Sequence, residues 1–190
     1  MKAMQQFSAG TRQQLPTQLF EQMGHYRHQV FINQLGWDLN TVNGMELDEF
    51  DGPEAVYVCS HDDGGNVNGV ARLLPTTEPY LMEKVFPQLW VGKQVPRDPQ
   101  IWELSRFAAD SLNRSGSITH QESAQHASEL LRNVIQAGSM FGAQTLVTVS
   151  PVGIERMLRL NNFQVSREGV PVIYEKTNIV SLSIKCNKLS

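Results

Sequence analysis

The chain has 190 residues, 41% of them hydrophobic and 18% charged, which suits one domain with a core of its own. No apolar run approaches the ~20 residues that span a bilayer, and MKAMQQFSAG has no apolar h-region, so a cytoplasmic location without a membrane span is expected. A formal net charge of −3 argues against nucleic-acid binding, and Cys59 and Cys186, with no CxxC or His pair beside them, against a disulfide scaffold or a metal site.

Leu15, Leu19, Met23, Tyr26 and Val30 recur at spacings of 4, 4, 3 and 4, which predicts one helix over about 12–32. From Gly36 to Pro53 the pattern breaks into a loop, marked by Asn40, Asn43, Gly44 and Gly52. AVYVCS (55–60) reads as a strand, HDDGGN (61–66) as a hairpin turn and VNGVARLLP (67–75) as the returning strand. LMEKVFPQLW (81–90) is a short helical or irregular segment, and IWELSRFAA (101–109) a strand. A long amphipathic helix follows over 120–143, then the buried strand TLVTVS (145–150), then a helix opened by Pro151 and running to about Leu160. The tail returns to strand in FQVS (163–166) and VPVIYEK (170–176). A meander, followed by a helix crossing between two strands, predicts a single α/β domain over 1–190 whose mixed sheet has helices on both faces.

The chain has no G-x-S-x-G elbow, no phosphate-binding G-x-x-x-x-G-K-[ST] loop and no HExxH. What a core does not need is a set of charges. Arg72 lies inside VARLL, and Glu103 and Arg106 inside WELSRF. Ionised groups in strands this apolar require partners, and the loop supplies Glu46, Asp48 and Asp51, spaced E-x-D-x-x-D. Arg27 and Phe31 share a helix face, with Trp37 just beyond its end. Two readings stand: a structural ion-pair network, or a polar pocket walled by Phe31 and Trp37 that suits a cationic ligand.

The segments YRHQVFINQLGW, ELDEFD, ARLLPTTEPY, FP at 86–87 and WELSRFA resemble the acyl-homoserine-lactone synthases, the autoinducer synthases of bacterial quorum sensing. The resemblance covers about residues 20–165. The family's characteristic positions fall on Arg27, Phe31, Trp37, Glu46, Asp48, Asp51, Arg72, Phe86, Glu103 and Arg106. The chain departs from it at Gln34, where many members carry Lys or Arg, and in SREGVPV, which lacks a common Gly-Pro-Pro.

The resemblance implies an N-acetyltransferase-like three-layer sandwich with a mixed, bulged sheet. It also implies transfer of an acyl group from acyl carrier protein, or acyl-CoA, to S-adenosylmethionine, which is a substrate; no cofactor is implied. Lactonisation then releases 5′-methylthioadenosine. On this reading Glu46, Asp48 and Glu103 are catalytic, with Glu46 the favoured base, its pKa raised by burial or like charge. Arg27, Phe31, Trp37, Asp48, Arg106 and Phe107 bind S-adenosylmethionine, while Asp51 and Arg72 form the structural network. Backbone N–H groups from Leu104 to Phe107 are the expected oxyanion donors. Phe86, Leu104, Thr148, Ser150, Ile154 and Met157 line the acyl pocket, where the hydroxyls of Thr148 and Ser150 suit a medium or long 3-oxo or 3-hydroxy chain.

Charge distribution adds a partner. Residues 151–190 hold 6 basic and 3 acidic side chains, and Arg156, Arg159 and Arg167 are the expected docking site for the acidic carrier. An acetyl-CoA N-acetyltransferase is the runner-up, disfavoured because FAADSLNRSGS after Arg106 lacks the [QR]-x-x-G-x-[GA] turn that binds pyrophosphate. A catalytically silent relative that only binds lactone or carrier is disfavoured by the intact acids and arginines.

Overall fold

A computed structural model of the chain describes residues 5–90, 92–109 and 119–186. Part of the stretch after Arg106 that distinguishes the runner-up, residues 110–117, therefore lies outside the described residues. The chain divides into two units, residues 1–72 with 106–137, and 73–105 with 138–190. In chain order the elements are β1 (Gln6–Thr11), α1 (Thr17–Arg27), a π-helix (His28–Gln34), β2 (Thr41–Val42), β3 (Met45–Glu46), β4 (Val56–His61) and β5 (Val67–Pro75). There follow α2 (Leu81–Val85), a 3-10 turn (Pro87–Trp90), β6 (Ile101–Ala109), α3 (His120–Met140), β7 (Thr145–Pro151), α4 (Val152–Leu160), β8 (Val165–Arg167), β9 (Val172–Tyr174) and β10 (Thr177–Lys185).

In the first unit β1 pairs antiparallel with β4, from Gln6↔His61 to Thr11↔Val56, and β4 neighbours β5. Val56, Val58, Val70 and Ala71 are buried, as are Phe20 and Met23 of α1 and Leu130 and Val134 of α3. The first helix starts later than its apolar stripe suggests. Pro16 is extended (ψ 136°) and residues 6–11 are already a strand, so α1 opens at Thr17. β1 has no sequence signal because an edge strand reading QFSAGT carries only two large or small apolar side chains, Phe7 and Ala9.

Two local devices place the loop after α1. The π-helix ends at Gln34 and is followed by Gly36 (φ +72°), where Trp37 N–H donates to Phe31 O at 2.9 Å and Gly36 N–H to Ile32 O at 3.0 Å. That left-handed termination turns the chain back and sets Trp37 over Phe31. The residues read as loop also contain a hairpin, β2–β3, closed by Asn43 (φ 53°) and Gly44 (φ 77°), the signature of a type I′ turn. It delivers Glu46 beside α1. Gly24 permits the approach, since a Cβ there would lie 2.8 Å from Met45 Cβ.

In the second unit β6 pairs parallel with β7 at Ile101↔Thr145, Trp102↔Leu146 and Glu103↔Val147, and α3 lies between these strands in the chain. β7 continues alone along β10, antiparallel from Thr145↔Lys185 to Pro151↔Ile179, and β8 and β9 pair with β10. The class is α/β with a mixed, largely antiparallel sheet flanked by helices, as expected. The tail is not. The expected strand over 170–176 ends at Tyr174, because Glu175 (φ 44°) and Lys176 (φ 67°) form the turn into β10. Among the described residues no helix is long and apolar enough to cross a membrane.

Gly24→Ala tests the hairpin's seat. A methyl alone would favour the helix by about 0.5–1 kcal/mol. Here it meets Met45, so urea unfolding is expected to show a net loss of about 1–3 kcal/mol.

Candidate active site

Six charged side chains of the first unit close into a ring of alternating sign. Arg27 Nε donates to Glu46 Oε2 (2.7 Å), and Glu46 Oε1 accepts from Arg106 Nη2 (3.1 Å). Arg106 Nη2 also donates to Asp48 Oδ2 (2.9 Å), and Asp48 Oδ1 meets Arg72 Nη1 (2.5 Å). Arg72 Nη1 reaches Asp51 Oδ1 (3.1 Å), and Asp51 holds Arg27 through two parallel bonds (2.8 and 3.0 Å). Each acid bridges two arginines and each arginine two acids. Formal charge within the ring is zero, which is what permits its burial.

The elements explain the arrangement. Arg27 ends α1, Arg72 lies on β5, Arg106 on β6, and Glu46 ends β3. Asp48 and Asp51 form a turn of their own: Asp51 N–H donates to Asp48 O (3.1 Å), and Asp48 N–H to Asp51 Oδ2 (2.7 Å). Arg106 reaches the ring at a backbone cost, with φ +51° in the middle of a strand, worth about 1–3 kcal/mol for a non-glycine residue. This kink lies within the Leu104–Phe107 segment expected to supply the oxyanion donors, and Phe107 beyond it is half-buried.

Burial is uneven around the ring. Arg27, Arg72 and Glu46 side chains are fully enclosed, whereas Asp48 keeps 13% and Arg106 5% of theirs exposed. The open edge is therefore Asp48–Arg106. Its flank is aromatic: Arg106 lies over Phe31 (5.6 Å to the centroid), and Phe31 stacks on Trp37 at 5.1 Å and 17°. Trp37 remains 43% exposed, so a ring face is available to a cation.

The acids are not tuned as the sequence suggests. Burial pushes Glu46 upward, but hydrogen bonds from Arg106 and the charge of Arg27 outweigh it and hold the carboxyl below its ordinary value. Asp51 behaves likewise, its burial overcome by Arg72 and Arg27. The expected raised pKa of Glu46 is thus corrected: its neighbours are guanidinium groups, not like charges.

Glu103, expected among the catalytic acids, belongs to the second unit and is engaged there. Its Oε2 accepts from Leu81 N–H (3.0 Å) and its Oε1 from Met82 N–H (2.6 Å), capping the first turn of α2. Of the residues expected to line the acyl pocket, Leu104 and Thr148 are buried, while Phe86, Ser150, Ile154 and Met157 are half-buried. Thr148 and Ser150 alternate onto one face of β7, opposite Leu182 and Val180, past the point where β6–β7 pairing stops.

The three arginines expected to dock the carrier also lie together. Arg156, Arg159 and Arg167 line a surface depression of about 540 Å³ at α4. Glu155 sits among them, accepting from Arg159 Nη2 (3.0 Å) and Arg167 Nε (2.8 Å), so the patch is less basic than three arginines alone. One ring partner was absent from the sequence reading. Tyr57 donates its hydroxyl to Asp51 Oδ1 (3.0 Å), and burial beside that carboxylate raises its pKa. Its signal was present, since a tyrosine inside AVYVCS needs a partner for its hydroxyl.

Asp51→Asn should leave Arg27 and Arg72 buried with too little counter-charge, costing about 3–5 kcal/mol in urea unfolding. The same acids give the stability a pH dependence. Their folded pKa values lie below the unfolded value of about 4, so their contribution is complete above that pH and fades as pH falls through the folded values. The melting temperature should hold from pH 6 upward and drop below about pH 4, and Asp51→Asn should flatten that acid limb.

Residues 12–190 match the family model described as autoinducer synthase. The chain is 41% identical over 165 residues to an acyl-homoserine-lactone synthase of Acinetobacter nosocomialis, covering 86% of this chain and 90% of that one. The structure of TofI in a ternary complex with an inhibitor and MTA superposes with a TM-score of 0.81 at 35% identity, covering 95% and 91% of the two chains. BjaI, a CoA-dependent acyl-homoserine lactone synthase solved with SAM and isopentyl-CoA, superposes at 0.82 with 26% identity, covering 98% and 84%. Ring, aromatic flank and overall likeness agree: the chain belongs to the autoinducer synthase family, the acyl-homoserine-lactone synthases.

Proposed function

We propose that this acyltransferase joins an acyl group from acyl carrier protein to the amine of S-adenosylmethionine and then closes the lactone, releasing 5′-methylthioadenosine. The observation that carries the reading is the charged ring with a single open edge, Asp48–Arg106, beside an exposed tryptophan face. A sulfonium meets Trp37 and Phe31, the amine meets Asp48, and the substrate carboxylate meets Arg106.

The chemistry follows from those contacts. The amine loses its proton and its nitrogen attacks the thioester carbonyl; the carrier thiol leaves. Glu46, enclosed and held by two arginines, works behind the edge, keeping Arg106 in place while the amine's proton passes to water. Backbone N–H groups between Leu104 and Phe107 meet the oxyanion, where preorganised donors matter most. The substrate's carboxylate then attacks its own γ-carbon and expels the neutral thioether, a ring closure that needs orientation more than acid or base. Nucleophile and electrophile both arrive with the substrates, so no cofactor or metal is assigned, and the reaction belongs in the cytoplasm where both are made. Thr148 and Ser150 offer hydroxyls to a 3-oxo or 3-hydroxy acyl chain of medium or long length. Carrier protein as donor rests on Arg156, Arg159 and Arg167; acyl-CoA is the other outcome of the same assay.

Mass spectrometry of medium from a lactone-free host expressing the chain should show the homoserine-lactone fragment ion. The parent mass reads the acyl group, and soluble protein without lactone, from cells or with purified donors, would sink the reading. Asp48→Asn should lower kcat about 100-fold and raise the KM for S-adenosylmethionine, with a melting temperature above that of Asp51→Asn. Arg156→Glu should raise the KM for acyl carrier protein several-fold without altering thermal stability; an unchanged KM would remove the patch from carrier docking.

A further inference from the structure

β8 and β9 both pair with β10 without forming one strand. Arg167 stands opposite Leu182 and Val172 opposite Ile179, so residues 168–171 span only positions 180–181 of their partner. This bulge is Glu168–Gly169–Val170–Pro171. It is fastened at both ends of its first residue. Glu168 N–H donates to Ser181 O (2.9 Å), and Glu168 Oε1 accepts from Ser183 Oγ (2.6 Å).

The bulge also holds the segment that carries Phe86. A Cβ on Gly169 would lie 2.4 Å from Leu89 O, so only glycine lets the two backbones touch. Ser181 Oγ donates to Leu89 O (3.2 Å), and Lys93 Nζ to Glu168 Oε2 (3.0 Å). Phe86 itself meets Tyr174 edge to face, 5.0 Å between centroids at 71°, a favoured aromatic geometry. Leu89 and Lys93 are thus tied to Gly169, Ser181 and Glu168. The half-buried Phe86 ring rests on Tyr174, itself 37% exposed and removable without opening the core.

We infer that this bulge and β9 form a clasp that sets the position of Phe86, and through it the length of acyl chain accepted, with Tyr174 and Glu168 as positioning residues. Neither touches substrate on this account; both act through Phe86. The inference rests on the acyl-transfer reading above and on Phe86 as part of the acyl wall. Freed from Tyr174, the Phe86 ring swings out of the wall, and the preference between short and long chains changes while the S-adenosylmethionine end does not.

The test compares kcat/KM of the full-length enzyme for butanoyl-, octanoyl- and dodecanoyl-acyl carrier protein, with the KM for S-adenosylmethionine as the internal control. Tyr174→Ala is expected to change the dodecanoyl-to-butanoyl ratio about tenfold, the scale of hydrophobic pocket discrimination. Phe86→Ala should move the ratio the same way, the double variant no further, and Tyr174→Phe should restore it. Glu168→Gln should move it in the same direction by less, since its Lys93 partner is 53% exposed. An unchanged ratio in Tyr174→Ala beside a shifted one in Phe86→Ala would overturn the clasp. So would an equal fall for all three donors, the mark of a purely structural role. An unchanged ratio in both variants would overturn Phe86 as acyl wall, and the clasp with it. The absence of lactone from the unmodified enzyme would instead overturn the function reading itself.

Discussion

Three guanidinium groups and three carboxylates, each bridging two of opposite sign, are the constraint on which the first unit depends. Burying any one of these ions alone would cost several kcal/mol, and burying all six is tolerable only because each is met on both sides. That requirement dictates backbone geometry well away from the charges. It calls for a hairpin short enough to bring Glu46 against α1, and for Gly24 to admit Met45 there. It also holds Arg106 in a left-handed conformation inside a strand, a strain that its bonds to Glu46 and Asp48 offset.

A closed ring would be inert, and the functional interest lies in where it is least closed. Asp48 and Arg106 are its most exposed members, and Phe31 and Trp37 flank that edge. The aromatic wall comes from local chain geometry rather than from packing across the fold. The π-helix and the glycine termination bond Trp37 N–H to Phe31 O and so stack the two side chains. On the proposed reading, stability and recognition are divided within one network, the enclosed Arg27, Arg72 and Asp51 serving the first and the open edge the second.

Much of this was legible in the sequence, and what was not has physical reasons. Arginines inside apolar strands announce buried partners, and the E-x-D-x-x-D loop names the partners, but sequence does not say who pairs with whom. Glu103 shows the limit: equally buried and equally suspect, it caps α2 through two backbone N–H groups. The raised pKa expected of Glu46 failed for the same reason, because a carboxylate's titration depends on which sign of charge lies nearest, a matter of tertiary geometry. Among the strands, β1 escaped because an edge strand need not be apolar. The reading stopped before β10 because Glu175 and Lys176 carry no glycine or proline to mark their turn. β10 itself, with Ile179, Val180, Leu182 and Ile184 buried between serines, was the readable strand that was overlooked.

The lowered pKa values of Glu46 and Asp51 suit the proposed reaction better than a strong base would. An α-amine has a pKa of about 8, so at pH 7 it surrenders its proton to water for only about 1.4 kcal/mol. The harder tasks are to hold a sulfonium, an ammonium and a carboxylate of one small substrate in fixed relation, and to do so through two successive steps. A carboxylate poised to titrate would change the ring's charge as the reaction proceeds and loosen its arginines. Glu46 and Asp51, held below their ordinary values by guanidinium groups, stay ionised near neutral pH, so on the proposed reading the arginines behind the open edge keep the same surroundings from binding to lactone release. On that reading Glu46 and Asp51 serve catalysis by not titrating, and the proton is left to water.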